Sequence, residues 1–455
     1  MKLFDDTIIG ISTALSKGAI SIIRLSGDDA IKIVNKVFKG IDLSKVEPNT
    51  INYGHIVDFD SCQIIDEVLV SIFKAPKSYT KEDVVEINCH GGLFVTNKIY
   101  EQLVLLGARP SEPGEFTKRA FLSGRIDLTK AEAVMDVINA ENNAALKIAN
   151  SALNGKISTF VDQKRQELLD IIATISVNID YPEYDDVEQL TNEDILPKLK
   201  IIKLELEDVL NNAKSAKLLK NGINTVIVGK PNVGKSSLLN TLIGENKAIV
   251  TNIPGTTRDI VEASINLGQV TLNLIDTAGI RITEDVVEKI GVEKSKEQIN
   301  KADIILCVLD GSEPINEQDK EILNEIKNKC HLTIINKIDL EQKINLGEVD
   351  DNVLFISTKN NNTIKELENK ILETLNLNNL FNKDITYISN ARQLEKINFA
   401  IKALDEALTT IENEATIDFV DIDIRKAWLY LGEIVGQTST DNLLDELFSK
   451  FCLGK

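Results

Sequence analysis

The stretch Gly229-Lys230-Pro231-Asn232-Val233-Gly234-Lys235-Ser236-Ser237 leaves this chain little choice of fold. It reads G-x-x-x-x-G-K-S, a phosphate-binding loop. The apolar, β-branched run Thr225-Val226-Ile227-Val228 before it suits a buried strand, and Ser236 to Leu242 after it suits the first turns of a helix. Gly229 and Gly234 let the backbone curl, so that successive N–H groups point inward at phosphate oxygens. The helix N-terminus adds its positive dipole end. Lys235 supplies a point charge for the β- and γ-phosphates, and the Ser236 hydroxyl can ligate Mg²⁺. A strand–loop–helix unit of this kind belongs to an α/β sheet.

Further motifs follow in the order a guanine-nucleotide hydrolase needs. Thr251-Asn252-Ile253-Pro254-Gly255-Thr256-Thr257 lies where a switch segment belongs, with Thr257 as the second hydroxyl for Mg²⁺. Asp276-Thr277-Ala278-Gly279 ends the apolar run from Val270 to Ile275; Asp276 can reach Mg²⁺ through water and the Gly279 N–H can reach the γ-phosphate. Asn336-Lys337-Ile338-Asp339 follows Leu332-Thr333-Ile334-Ile335. The Asp339 carboxylate can accept from guanine N1–H and N2–H₂, a donor pair adenine lacks. Ser357-Thr358-Lys359 closes over the base after Val353 to Ile356. Motifs at the carboxyl ends of strands are where an open α/β sheet binds ligands. One position is unusual: Ile280 stands where Ras-like proteins place the glutamine that orients the attacking water. Something else must position water and neutralise developing charge, and the acidic segment from Glu284 to Ile290 is close by.

Length, 455 residues, suggests about three domains. A net charge of −19 argues for a cytoplasmic protein and against broad electrostatic nucleic-acid binding. No apolar run approaches the ~20 residues of a membrane span. Cys62, Cys89, Cys307, Cys330 and Cys452 are scattered, as reduced thiols would be. Up to about residue 120 the pattern is mixed α/β, with strands over 19–25, 67–73 and 83–89, helices from Asp28 and over 93–106, and a rigid loop from Arg109 to Glu115. From Phe116 to Ile179 helical spacing dominates, with Gly155 as a break and Tyr181-Pro182-Glu183 as a stop. Helices are expected again over 192–219, 390–414 and 421–431, with a last one capped by Thr440. The fold class expected is therefore multidomain α/β plus α: an N-terminal α/β domain over 1–118, a discontinuous helical domain over 119–216 and 378–455, and a Ras-like P-loop domain over 217–377 inserted in it.

The chain resembles the MnmE (TrmE) family of bacterial tRNA-modification GTPases over essentially its full length. The resemblance rests on Ile22-Ile23-Arg24-Leu25-Ser26-Gly27, His90-Gly91-Gly92, Arg109-Pro110, Pro113-Gly114-Glu115-Phe116, Arg119-Ala120-Phe121-Leu122 with Asp127-Leu128, Gly255-Thr256-Thr257-Arg258-Asp259, and the tail from Phe448 to Lys455. It implies a dimerising N-terminal domain that binds 5-formyltetrahydrofolate through Arg24, Glu86, Arg125 and Lys455. Taken alone, Arg24 and Glu86 read first as ordinary strand-end charges. It also implies an answer at Ile280: a K⁺ ion held by Asn232, Thr251, Ile253 and Thr256, in a loop ordered when two GTPase domains meet, in place of an arginine finger. Glu288 would orient the water; without the family it reads as a solvated switch-helix charge. The same resemblance implies a homodimer working with a flavin-containing partner, MnmG (GidA), in a heterotetramer or larger complex. Together they would place an aminomethyl or carboxymethylaminomethyl group on C5 of a tRNA wobble uridine. The tail departs from the family in reading Cys452-Leu453-Gly454-Lys455, with Leu for the usual Ile, and Cys452 reads as an ordinary thiol. The competing reading is an Era-like switch for ribosome assembly, which would need a basic RNA-binding appendage.

Overall fold

The computed structural model describes residues 5–180, 192–245, 261–275, 299–345, 347, 349, 351–358, 363–377, 388, 390–413, 416–437, 441–451 and 454. Several expected elements lie outside these: 251–257, Asp276 to Gly279, Ile280, Glu288, Lys359, Thr440, Cys452 and Lys455. The chain divides into two compact units, Met1–Met135 with Gly432–Lys455, and Asp136–Leu431.

The first unit is built on a seven-stranded sheet: β1 (Ile8–Ile11), β2 (Ile20–Ser26), β3 (Phe38–Lys39), β4 (Thr50–Val57), β5 (Ile64–Phe73), β6 (Val84–His90) and β7 (Arg109–Pro110), in the order β3-β4-β5-β6-β2-β1-β7. All neighbours are antiparallel except β1 and β7. Alternation explains its layering. Ile23, Leu25, Val68, Val70, Ile72, Val85, Ile87 and Cys89 form one core with Ile31 and Val34 of helix Ala30–Asn35 and Ile99 and Leu103 of helix Leu93–Leu105. The opposite face carries Arg24 directly across from Glu86. β4 was not anticipated, because Asn52, Gly54 and His55 interrupt its apolar pattern; Arg109-Pro110, expected as loop, pairs in parallel with β1. Helices Glu115–Leu122 and Leu128–Ile138 follow, and Leu128 and Ala131 pack against Leu444 and Phe448 of helix Asp441–Ser449.

The tail then returns to the first strand. The Ser12 hydroxyl donates to the Gly454 carbonyl at 3.1 Å, and a Cβ on Gly10 would sit 2.9 Å from the Gly454 Cα. Gly454 itself has φ +79, a region costly for any residue with a Cβ.

Beside this contact lies an ionic cluster. Arg119, 1 % exposed, donates to Asp6 at 2.6 Å, to Glu115 at 3.1 Å and to Glu82 at 3.1 Å. Arg109 reaches the same Asp6 and Glu115. Burial would raise the Glu115 carboxyl, but the two guanidiniums and the Glu112 N–H hold it below the usual range. Removing one member of such a buried network strands the others. Arg119→Ala is expected to destabilise the N-terminal unit by about 3–5 kcal/mol, read as a shift of its urea unfolding midpoint.

The second unit combines helices with the nucleotide sheet. Helices Asn143–Leu153 and Lys156–Asp180 are separated at Gly155, φ +87, where the break was expected. Helices Asn192–Asn221, Ala391–Glu412 and Ile417–Val435 follow, the last longer at both ends than its apolar spacing suggested. The sheet comprises β8 (Ile223–Val228), β9 (Val261–Asn266), β10 (Thr271–Ile275), β11 (Ile304–Asp310), β12 (His331–Asn336) and β13 (Val353–Phe355). Its order is β13-β12-β11-β8-β10-β9, parallel throughout except β9 against β10. The phosphate-loop strand β8 is thus central, as in Ras-like domains. Each residue of β11 is buried, the signature of a strand covered on both faces. Asn142 ties helix to sheet: its Oδ1 accepts from the Ala145 N–H at 2.7 Å as a cap, while its Nδ2 donates to Leu219 O and to Thr271 Oγ1 at 3.2 and 3.0 Å.

Candidate nucleotide and pterin sites

The phosphate loop leaves β8 through Gly229, φ +146, and enters helix Lys235–Glu245 through Gly234, φ +103. A Cβ at Gly229 would collide with the Val308 carbonyl, and one at Gly234 with the Asn336 side chain. The glycines are therefore required by close approach as well as by backbone angle. Asn232 stands between them at φ +66 with its side chain exposed, and Ser236 and Ser237 are exposed beside it. Val233 is buried and anchors the loop in the sheet core.

Lys235 curls back over the loop, its ammonium donating to Gly229 O at 2.6 Å and Lys230 O at 2.7 Å. Burial pushes this ammonium below its usual range, which favours an incoming phosphate that restores charge balance. Lys230 is pinned in turn by Glu313 at 3.0 Å and Asp319 at 3.2 Å.

The turn expected to recognise the base is joined to this loop. Asn336, at the end of β12, donates through Nδ2 to Val233 O at 3.0 Å. Its Oδ1 is buried and has no hydrogen-bond partner among the described residues, an acceptor waiting for a donor. Lys337 adopts φ +63 and its ammonium reaches Asp310 Oδ2 at 2.5 Å. Ser357 donates its hydroxyl to Asp339 Oδ1 at 2.9 Å, fixing the carboxylate expected to read guanine. The Thr358 carbonyl accepts from Thr241 of the phosphate-loop helix at 3.3 Å. A curled glycine loop, a half-buried ammonium, a buried amide oxygen with no partner among the described residues and a fixed carboxylate fit a guanine nucleotide. Thr251 to Thr257, Asp276 to Gly279, Glu288 and Lys359 lie outside the described residues.

Sequence reasoning missed Asp310 and Thr241. Asp310 was signalled by Asp310-Gly311 at the end of the continuous apolar run from Ile304 to Leu309. Thr241 is one more polar residue on a helix and carries no local signal.

In the first unit the three described candidate folate residues gather around two aromatic rings. Arg24 Nε donates to Glu86 Oε1 at 2.8 Å, and its Nη1 reaches Gly454 O at 3.4 Å. The Arg24 guanidinium lies 5.6 Å from the Phe116 ring centre and 6.0 Å from that of Tyr79. The Arg125 guanidinium lies 4.8 Å from the Tyr79 ring centre. Tyr79 in turn is held through its hydroxyl by Thr117 at 3.0 Å. Two guanidiniums, one carboxylate and an aromatic face suit a flat heterocycle with acidic substituents. Lys455, the fourth candidate, lies outside the described residues.

Residues 7–125 match the family model for the GTP-binding protein TrmE N-terminus, and residues 128–452 match that for the MnmE helical domain. The chain is 50 % identical over 455 residues to the tRNA modification GTPase MnmE of Bacillus cytotoxicus, covering 99 % of both chains. It is 49 % identical to that of Bacillus mycoides, again over 99 % of both. Among solved structures, Era in complex with MgGDPNP and nucleotides of 16S ribosomal RNA is 32 % identical over 40 % of this chain and 66 % of that one, at a TM-score of 0.27. Two adjoining family matches and end-to-end likeness at half identity, laid over a phosphate loop bonded to the Asn336–Asp339 turn, place this chain in the MnmE (TrmE) family of tRNA modification GTPases.

Proposed function

We propose that this GTPase works on the wobble uridine of tRNA, forming 5-carboxymethylaminomethyl or 5-aminomethyluridine with an FAD-dependent MnmG partner, in the cytoplasm. The observation that carries the reading is the Asn336–Val233 bond, which couples base choice to phosphate binding within a chain matching tRNA modification GTPases from end to end. Among the described residues no helix is long and apolar enough to cross a membrane.

When bound, Mg²⁺ supplies charge neutralisation at the β- and γ-phosphates, and Ser236 with Thr257 would hold it. The loop N–H groups orient the phosphates, and Lys235 leaves its carbonyl partners to meet them. K⁺ would take the arginine finger's place, with Asn232 as its side-chain ligand and Thr251, Ile253 and Thr256 adding oxygens. Glu288 would hold the attacking water. Association of two GTPase domains would order this loop and so enable hydrolysis.

The folate reading is supported by the grouping of Arg24, Glu86 and Arg125 about Tyr79. The homodimer reading is supported by the uncovered sheet face beside them, where Ile51, Tyr53 and Leu69 are 68, 61 and 46 % exposed. The functional parts remain 1–118 for folate and dimerisation, 119–216 with 378–455 as the helical part, and 217–377 for GTP.

The test is the modification state of tRNA. Deleting the gene is expected to leave the wobble uridine of its substrate tRNAs without the C5 substituent, scored by mass spectrometry of nucleosides. Intact modification in the deletion strain would reject the reading and favour an Era-like switch. Calorimetric titration of the full chain with 5-formyltetrahydrofolate is expected to show saturable binding that Arg24→Ala abolishes; no heat with the unaltered chain removes the donor site.

A further inference from the structure

Asp310 belongs to none of the nucleotide motifs, yet it sits against one of them. It is the last residue of β11 and pairs in register with Asn336 at the end of β12. Its side chain is 5 % exposed. Oδ1 accepts from the Ser312 N–H at 3.0 Å and from the Ser312 hydroxyl at 2.6 Å. Oδ2 accepts from the Lys337 ammonium at 2.5 Å. Burial alone would raise this carboxyl, but Lys337 and Ser312 hold it below the usual range, so it stays a carboxylate.

The partner it holds is in an uncommon conformation. Lys337 has φ +63, unfavourable for any residue with a Cβ. Such a conformation persists where the surroundings over-determine it. The Lys337 carbonyl accepts from Leu340 N at 3.0 Å and from Gln342 Nε2 at 3.1 Å. The Asn336 carbonyl accepts from Gly311 N at 2.9 Å, and a Cβ on Gly311 would collide with Gln342. The Asp310-Gly311 corner and the Lys337 turn are therefore one interlocked piece, and the ion pair is its side-chain bolt. Two residues on, the same turn delivers Asp339 to Ser357.

We propose that Asp310 is a positioning residue for guanine recognition: by holding the Lys337 ammonium beneath the base site, it fixes the left-handed turn that presents Asp339. It touches no nucleotide atom. Its action is on the preorganisation of the reading carboxylate, so its removal weakens binding of guanine nucleotides and blurs the choice among bases. The inference rests on Asp339 as the guanine-reading group.

Asp310→Asn keeps shape and removes charge. It is expected to raise the dissociation constants of GDP and GTP by about tenfold to a hundredfold, the worth of one charge-assisted bond. Ser312→Ala, which loosens Asp310 without breaking the ion pair, is expected to move them the same way by a smaller factor. The decisive measurement is the cycle with Asp339→Asn, using fluorescent guanine and xanthine nucleotides on the full chain. If Asp310 acts through the turn, Asp310→Asn costs much less guanine affinity in the Asp339→Asn background than in the unaltered chain. Equal losses in both backgrounds, or unchanged guanine affinity in Asp310→Asn and Ser312→Ala, overturn the proposal. Should Asp310→Asn not fold, the same cycle with Ser312→Ala decides it. Failure of Asp339→Asn to alter base preference would strike the guanine-site reading itself, a result distinguishable from the others.

Discussion

Asp339→Asn is expected to lower GTP affinity by about 10³- to 10⁵-fold and to transfer preference to xanthosine triphosphate. Guanine offers N1–H and N2–H₂ to one carboxylate. An amide in its place can accept only one of these donors and turns its own NH₂ against the other. Xanthine carries a carbonyl where guanine carries the amine, so an asparagine amide fits it. The size of the loss follows from the setting. Ser357 holds Asp339 Oδ1 at 2.9 Å, so the carboxylate cannot swing away to limit the mismatch. A mismatch covered by the bound base costs the desolvation of the groups left unpaired as well as the lost bond. Stopped-flow binding of the two triphosphates checks this, and unchanged GTP affinity would dismiss Asp339 as the reading group.

Replacing potassium by sodium at equal ionic strength is expected to reduce GTP turnover by about 10³-fold or more, the low end of what an arginine finger supplies. The Ile280 side chain has no polar atom to orient water or answer charge. The transition state still gathers charge between the phosphates, and a cation must meet it. Asn232, exposed at φ +66 on the phosphate loop, is the side chain proposed to help hold one. Sodium is smaller and draws its oxygen ligands closer, so a loop shaped for potassium closes on it imperfectly. Equal rates in the two salts would exclude the ion. In potassium, Glu288→Ala is expected to bind GTP within about twofold of the unaltered chain while losing about 10²- to 10⁴-fold in turnover, as removal of a positioned base does.

The nucleotide site was legible because its parts are local in sequence. Gly229, Gly234 and Lys235 lie within one turn of chain, and the backbone angles at the two glycines match what their lack of a Cβ suggested. Asn336, Asp339 and Ser357 each follow a recognisable apolar run. Among the strands not read, β4 and β11 were missed for opposite reasons. β4 is half-exposed and broken by polar residues, while β11 is so uniformly apolar that it shows no alternation. The interlock at Asp310 was invisible because it joins the ends of two strands. The cluster of Arg24, Glu86, Arg125 and Tyr79 is assembled from a sheet, a loop and a helix end. No spacing rule links such positions; only the folded sheet, and the likeness to a known family, brings them together.

The bond between Arg24 and Gly454 spans 430 positions of sequence. During synthesis the ribosome delivers β1 and β2 first and helix Asp441–Ser449 last. The early strands must therefore wait, with the Gly10 notch unfilled and Leu128 lacking Leu444 and Phe448, until the intervening unit has emerged. If that unit folds while still tethered, its compaction shortens the effective span and reduces the entropic cost of closing the loop. Translation pauses in the GTP-binding stretch would thus lengthen the interval in which the N-terminal unit depends on chaperones.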